Sequence, residues 1–218
     1  MIIQWYGQTC FRIQAKTLKT EPVIVIDPYD KSTGLRVPSL SADIVLLTDK
    51  RSEFSNVSSI KSNTPDQVPF IIAGPGEYEA RDVFITGLPS KPDKKDKMIK
   101  SIYSIQVEEI NLVHLSNLSQ ENLSEKILEE VEGVDILMIP VGGGNTLDAK
   151  QAVELISQIE PRIIIPMYYR LPGLKNNLES VDKFIKEIGL KPDEELEKFK
   201  VVKKDLPQEE TKLIILKP

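Results

Sequence analysis

Residues 44–56 read I-V-L-L-T-D-K-R-S-E-F-S-N, and the fold turns on how that stretch is understood. Ile44, Val45, Leu46 and Leu47 form a short apolar run, partly β-branched, of the length and type of a buried strand. The run stops at Thr48 and gives way to Asp49, Lys50, Arg51, Glu53 and Phe54, with Ser55-Asn56 able to start another element. Open α/β architectures often set their chemistry at the carboxyl ends of core strands, which makes this polar loop the first candidate site. Its charged side chains can pair with one another. They do not make a convincing metal set.

The chain of 218 residues is long enough for one well-buried domain, taken as 1–218. Hydrophobic residues make up 40% and charged residues 28%, a globular rather than a disordered balance. A net charge of -5 argues against broad binding to nucleic acid or anionic membranes. No basic segment followed by an apolar one opens the sequence, and no apolar run approaches a membrane span, so a cytoplasmic protein is expected. Cys10 is the only cysteine, which excludes an intrachain disulfide and any cysteine-rich zinc site. His114 is the only histidine. Zinc and iron hydrolase centres are built on several imidazoles, so one histidine counts against Zn²⁺.

Along the chain, residues 2–6 and 9–15 read as a hairpin about Gly7-Gln8, and 23–26 as a strand ending in Asp27. A loop is expected to Ser39, then the strand at 44–47 and another at 70–73. Gly74-Pro75-Gly76-Glu77-Tyr78-Glu79 reads as a tight turn. Residues 83–86 read as a strand, 90–100 as a lysine-rich hairpin tip that could meet an anionic partner, and 101–107 with 110–113 as a second hairpin. Ser119 or Asn122 is expected to cap a helix running to about Glu130, closed by Gly133. Strand 136–139 leads into Gly142-Gly143-Gly144, and Asn145 is the expected cap of a helix over 148–159. Ala149, Ala152, Val153 and Ile156 fall on one face of that helix. A strand at 162–165, a helix over 178–188, and strands at 201–202 and 212–216 complete the chain. The pattern predicts an α/β or α+β domain of sheets covered by helices.

The loop after Leu47 also resembles the T-H-x-H-x-D-H signature of the metallo-β-lactamase fold hydrolases. Thr48 is kept, while Asp49 and Arg51 stand at the first two His positions, Glu53 at the Asp and Phe54 at the last His. Further fragments follow in the family's order: W-Y-G-Q-T-C-F-R-I, I-D-P-Y, G-P-G-E-Y-E, H-L-S-N-L, D-I-L-M-I-P-V-G-G-G, D-A-K-Q-A and I-I-I-P-M-Y-Y. They resemble a branch that includes lactonase-like proteins and metal-dependent hydrolases, over roughly three quarters of the chain. The resemblance implies a four-layer αββα sandwich with metals at one edge. It also implies that the ligands have been lost, because Asn117 replaces a bridging Asp and Tyr168 replaces a final His. His114 is read as hydrogen-bonded scaffold.

Three functions are compatible with this sequence. The first is a non-catalytic protein without a cofactor, retained for binding a protein or small ligand or for structure, with Asp49, Arg51, Glu53, Phe54, Asn117 and Tyr168 in the vestigial cleft. Arg51 would pair with Asp49, Glu53 or Glu77, replacing metal charge with ion pairs. The second is an ester, lactone or phosphodiester hydrolase rebuilt on Asp27, Asp49, Glu53 and Glu77 around Mg²⁺ or Mn²⁺. The third binds a phosphate-like anion through Arg51 and Gly142, Gly143 and Gly144. Oligomers, including a homodimer, are compatible with the family resemblance.

Overall fold

The β1 (Ile2–Trp5) and β2 (Phe11–Gln14) strands pair antiparallel about the Gly7-Gln8 turn, burying Ile3, Trp5, Phe11 and Ile13 on one face. The alternation of buried and half-buried residues is the period-2 signature of a sheet with one face on the core. The computed structural model describes residues 1–51, 53–92, 97–192 and 195–218. Part of the lysine-rich tip expected at 90–100 therefore lies outside the described residues.

In chain order there follow β3 (Val23–Ile26), β4 (Leu40–Ala42), β5 (Ile44–Leu46), β6 (Ile60–Ser62), β7 (Phe70–Ile72), β8 (Gly76–Ala80), β9 (Val83–Pro89), β10 (Ser101–Val107) and β11 (Ile110–His114). The second half alternates, as the pattern predicts. It runs α1 (Glu125–Val131), β12 (Ile136–Pro140), α2 (Ala149–Ile159), β13 (Ile163–Met167) and α3 (Val181–Ile188). Four short strands end it: β14 (Glu195–Leu196), β15 (Phe199–Lys200), β16 (Lys212–Leu213) and β17 (Ile215–Leu216).

Two sheets carry the fold. The first has the order β15-β1-β2-β3-β5-β7 and the second β16-β13-β12-β11-β10-β9-β8. They share a core of Ile3, Ile13, Ile24, Ile26, Ile44 and Leu46 with Ile85, Ile105 and Leu112, all buried. Strands β3, β5 and β7 run parallel, as do β11, β12, β13 and β16. β12 and β13 are buried on both faces and read as continuous apolar runs for that reason. Helices α1, α2 and α3 pack side by side with α2 in the middle. The result is an αββα-type sandwich. Its outer layer over the first sheet is thin, formed by the β4–β6 ladder and a second cluster of Cys10, Val25, Tyr29, Leu40 and Val45. No helix among the described residues is long and apolar enough to cross a membrane.

Several expected boundaries move. Gly76–Ala80 is an edge strand paired antiparallel with β9, beginning at the last residue of the Gly-Pro-Gly bend rather than forming part of a tight turn. α1 begins at Glu125 with Ser124 as its N-cap, two residues beyond Asn122, so neither Ser119 nor Asn122 caps it. The segment 201–202 is not a strand; Phe199–Lys200 pairs with β1 instead. Residues 212–216 split into two strands that join different sheets.

The cap of α2 also moves, from Asn145 to Asp148. The Asp148 carboxylate accepts from the Gln151 amide at 3.0 Å, and the Gln151 side chain accepts from the Asp148 amide at 2.9 Å. This closed pair satisfies two donors that an asparagine three residues earlier does not reach. Asp148→Ala is expected to lower stability by about 1 kcal/mol, measured as a shift of the urea midpoint at unchanged slope.

Candidate functional site

Four non-glycine residues with positive φ gather at one end of the sandwich. Asp27 follows β3 (φ 46°), Ser116 follows β11 (φ 60°), Tyr168 follows β13 (φ 54°) and Gln8 sits in the β1–β2 turn (φ 52°). The left-handed region is unfavourable for such side chains, and its clustering at strand ends marks a place where backbone geometry matters. The Tyr168 amide donates to the Gln8 carbonyl at 3.1 Å, which ties two of these turns together. Gly142 packs against the same turn; a Cβ there would meet the Tyr168 carbonyl oxygen at 2.2 Å.

The loop after β5 is held from below. Thr48 donates its amide (2.7 Å) and hydroxyl (2.6 Å) to the two carboxyl oxygens of Asp27, and the Ser116 hydroxyl donates to Thr48 Oγ1 at 2.8 Å. Asp27 is fully buried, and burial pushes its carboxyl up to about 7 against the pull of both Thr48 bonds. It lies under the loop, not in the cleft.

Above it, Asp49 and Arg51 form the centre of the site. The Arg51 amide donates to Asp49 Oδ1 at 3.0 Å, Nε donates to Oδ2 at 2.9 Å, and Nη2 bonds the same oxygen. Asn117 Nδ2 approaches that oxygen at 3.4 Å. Burial works to raise the Asp49 carboxyl, but the Arg51 bonds and charge prevail and hold it below the usual carboxylate range. Arg51 Nη1 lies 3.7 Å from Glu53, and its guanidinium carbon lies 5.2 Å from the centre of the Phe54 ring. Phe54 is buried in the main core, 6.2 Å from the Tyr168 ring.

Arg51, Glu53, Asn117 and Tyr168 line a cavity of about 520 Å³. Tyr168 Oη accepts from Asn176 Nδ2 at 3.3 Å, and burial raises the phenol to about 12, so it stays protonated. Lys100, read from the sequence only as the end of the lysine-rich tip, also lines the cavity and donates to the Asn117 carbonyl at 2.8 Å. Asn145, read from the sequence as a helix cap, lines it too, and Asn176 escapes sequence reading, since a lone polar residue in a loop carries no periodic or motif signal.

Other expected members stand apart. His114 is buried, with Nε2 against the Thr9 carbonyl at 3.0 Å and Nδ1 accepting from the Ser116 amide at 3.1 Å. Burial lowers it to about 4, leaving a neutral ring protonated on Nε2. Glu77 lies exposed on β8, opposite Thr86, and does not line the cavity. Gly144 lines it, but the Gly143 amide is spent on the Leu147 carbonyl at 2.9 Å and Gly142 serves close packing. The glycine turn is therefore not an open phosphate cradle. Asp27, Asp49, Glu53 and Glu77 do not converge, and no group of three or more His, Cys, Asp or Glu among the described residues could hold a metal ion.

A sequence profile described as the β-lactamase superfamily domain matches residues 2–168. The chain belongs to this superfamily. A UPF0173 protein of Pyrococcus abyssi is 24% identical over 215 residues, covering 90% of this chain and all of that one. A 44-residue stretch is 43% identical to a UPF0173 metal-dependent hydrolase of Carboxydothermus hydrogenoformans, covering 20% of each. Among solved structures, a candidate Zn-dependent hydrolase of the metallo-β-lactamase superfamily from Thermotoga maritima superposes with a TM-score of 0.76. It is 27% identical and covers 99% of this chain and 97% of its own. Igni18, a metallo hydrolase of Ignicoccus hospitalis, shares the fold at a TM-score of 0.59 and 16% identity, covering 86% and 90% of the two chains. The metallo-β-lactamase fold is thus kept, whereas the described residues at the positions of the family's metal ligands do not match that donor set. Phe54 contributes a hydrocarbon ring, Tyr168 a protonated phenol, and Arg51 a permanent cation bound to the nearest carboxylate.

Proposed function

We propose that this is a non-catalytic metallo-β-lactamase-fold protein, in which an arginine–carboxylate pair has replaced the metal centre and the cleft is retained for binding. One observation carries the reading: the Arg51 guanidinium bonds Asp49 through both Nε and Nη2 in the loop that corresponds to the signature motif. A cation with both donors on Asp49 Oδ2 supplies the positive charge that would otherwise come from an ion, and it competes with any ion for the same oxygen. The buried Phe54 ring reinforces this, since it fills a ligand position with carbon. The cavity remains open to a small polar molecule. Its nearest charges balance, with Arg51 and Lys100 against Asp49 and Glu53, so a strongly anionic ligand is not demanded.

Protein purified without an affinity tag, exposed separately to Zn²⁺, Mn²⁺ and Mg²⁺ and then desalted, is expected to retain less than about a tenth of an equivalent of each by elemental analysis. Retention of one or two equivalents, lost on changing Asp49 and Glu53 to alanine, would overturn the proposal in favour of a rebuilt hydrolase site.

A further inference from the structure

The cavity beside the arginine–carboxylate pair, about 520 Å³, is within the usual size range of small-molecule sites. What it can hold depends on which of its lining groups still have hydrogen-bonding capacity. Both cations on its wall are engaged within the protein, Arg51 with Asp49 and Lys100, 4% exposed, with the Asn117 carbonyl at 2.8 Å. Asn117 is engaged as well: its Oδ1 accepts from the Ser116 hydroxyl at 3.1 Å and its Nδ2 is turned to Asp49.

The open capacity lies opposite in kind. The Tyr168 phenol accepts from Asn176 Nδ2 and keeps its own proton, for which no acceptor stands among the described residues. Asn176 Oδ1 and both ends of the Asn177 carboxamide make no hydrogen bond among the described residues. The Glu53 carboxylate has only the 3.7 Å approach of Arg51 Nη1, so it retains acceptor oxygens. The donors left are thus neutral, and the acceptors are carboxamide and carboxylate oxygens. An anion entering here would meet Glu53 while Arg51 and Lys100 are held elsewhere, and a cation would meet those two charges. Hydroxyl groups, which donate and accept at once, fit both kinds of open site. A planar base fits less well, because stacking needs an open aromatic face and Tyr168, the aromatic residue on this wall, is 6% exposed.

We infer that the cleft takes a neutral polyhydroxylated molecule, a sugar without phosphate, carboxylate or amine. Its hydroxyls donate to Glu53 and Asn176 and accept from Tyr168, while Asn177, exposed at the rim, closes over a further one. The inference rests on the reading of a metal-free cleft retained for binding, and it names the class of molecule bound.

Saturation-transfer NMR titrations of the full chain test it, with ribose, glucose, galactose and maltose as neutral probes and glucose 6-phosphate and glucosamine as charged ones. At least one neutral probe is expected to bind with a dissociation constant of about 1 mM or below. That constant is expected to rise at least tenfold in Tyr168→Phe and in Asn177→Ala, and both charged probes are expected to bind at least tenfold more weakly than the neutral one. In protein that retains no metal, absence of binding by every neutral probe at about 10 mM would overturn this inference and leave the metal-free reading standing. Retained metal would overturn that reading, and this inference with it. Tighter binding of a charged probe would also overturn the inference, in favour of an ionic site. So would a neutral probe bound equally by the parent and both variants, since its contacts would then lie on another surface. Asn177 is exposed, so Asn177→Ala decides the matter if Tyr168→Phe fails to fold.

Discussion

Replacing Arg51 by methionine is expected to cost roughly 2–3 kcal/mol of folding stability at neutral pH. The variant keeps much of the apolar stem but strands the Asp49 carboxylate, whose side chain is wholly covered, with only the amide at position 51 and a long contact from Asn117. Removing one partner of a buried pair costs more than the pair contributes, because the remaining charge has no water to return to. The figure sits low in the usual range because the Arg51 side chain is 36% exposed and already partly hydrated. The sign with pH follows. In the native protein the Asp49 carboxyl is held below its unfolded value, so the pair's contribution is full above the unfolded value and is lost as pH falls through the folded one. Without Arg51, burial alone acts and favours the neutral acid. The gap between the two proteins should therefore narrow on acidification. Urea unfolding near pH 7 and again near pH 4.5 measures it, and Asp49→Leu combined with Arg51→Met should recover most of the loss. A change under about 0.5 kcal/mol in the single variant would mean that the loop is held by Thr48 and Asp27 alone.

The second large effect is a pair of opposed pH dependences from Asp27 and His114. Asp27 is neutral in the fold up to about pH 7, whereas its unfolded carboxyl ionises near 3.8. Between those values the native state holds the extra proton, so this residue makes the protein less stable as pH rises. His114 is neutral in the fold down to about pH 4 but protonates near 6.5 when unfolded. There the unfolded state holds the extra proton, so this residue makes the protein less stable as pH falls. Each amounts to about 3–4 kcal/mol in full, and over about pH 4 to 6.5 they cancel. Relative to the parent protein, Asp27→Asn should lose stability progressively on acidification from about pH 6.5 to 4, and His114→Gln should lose it on alkalinisation from about pH 4 to 7. Denaturant midpoints across that window give both slopes. Slopes of the same sign would show that one of these groups is not held neutral.

Much of the architecture was legible because local chemistry and tertiary demand agree there. The Gly7-Gln8 hairpin and the apolar face of α2 follow from periods of 2 and 3.6 against one covered face, and the strands at 44–46 and 136–140 from continuous apolar runs buried on both faces. The ordered family fragments then made the sandwich readable, and the loss of histidine ligands was visible in the letters themselves. The site was legible only in its first layer. Asp49, Arg51, Glu53, Asn117 and Tyr168 do come together, but Glu77 does not, because pairing of β8 with β9 carries it along an exposed edge. Which carboxylate Arg51 takes could not be read from spacing, since Asp49, Glu53 and Glu77 are all within reach of a flexible chain. The backbone turn from Asp49 to Arg51 decides it, by adding an amide bond to the guanidinium ones.

By itself, then, this sequence determined the order of the buried core strands and of the helices, the superfamily, and the absence of the usual histidine ligands, since each depends on residue type and local period. Only the tertiary structure decided that Asp27 lies beneath Thr48, that Lys100 faces the cleft, and that β7 is left with an open edge. Those outcomes depend on which segments, distant in the chain, are brought to the same place by the packing of two sheets, and nearest-neighbour chemistry carries no record of that.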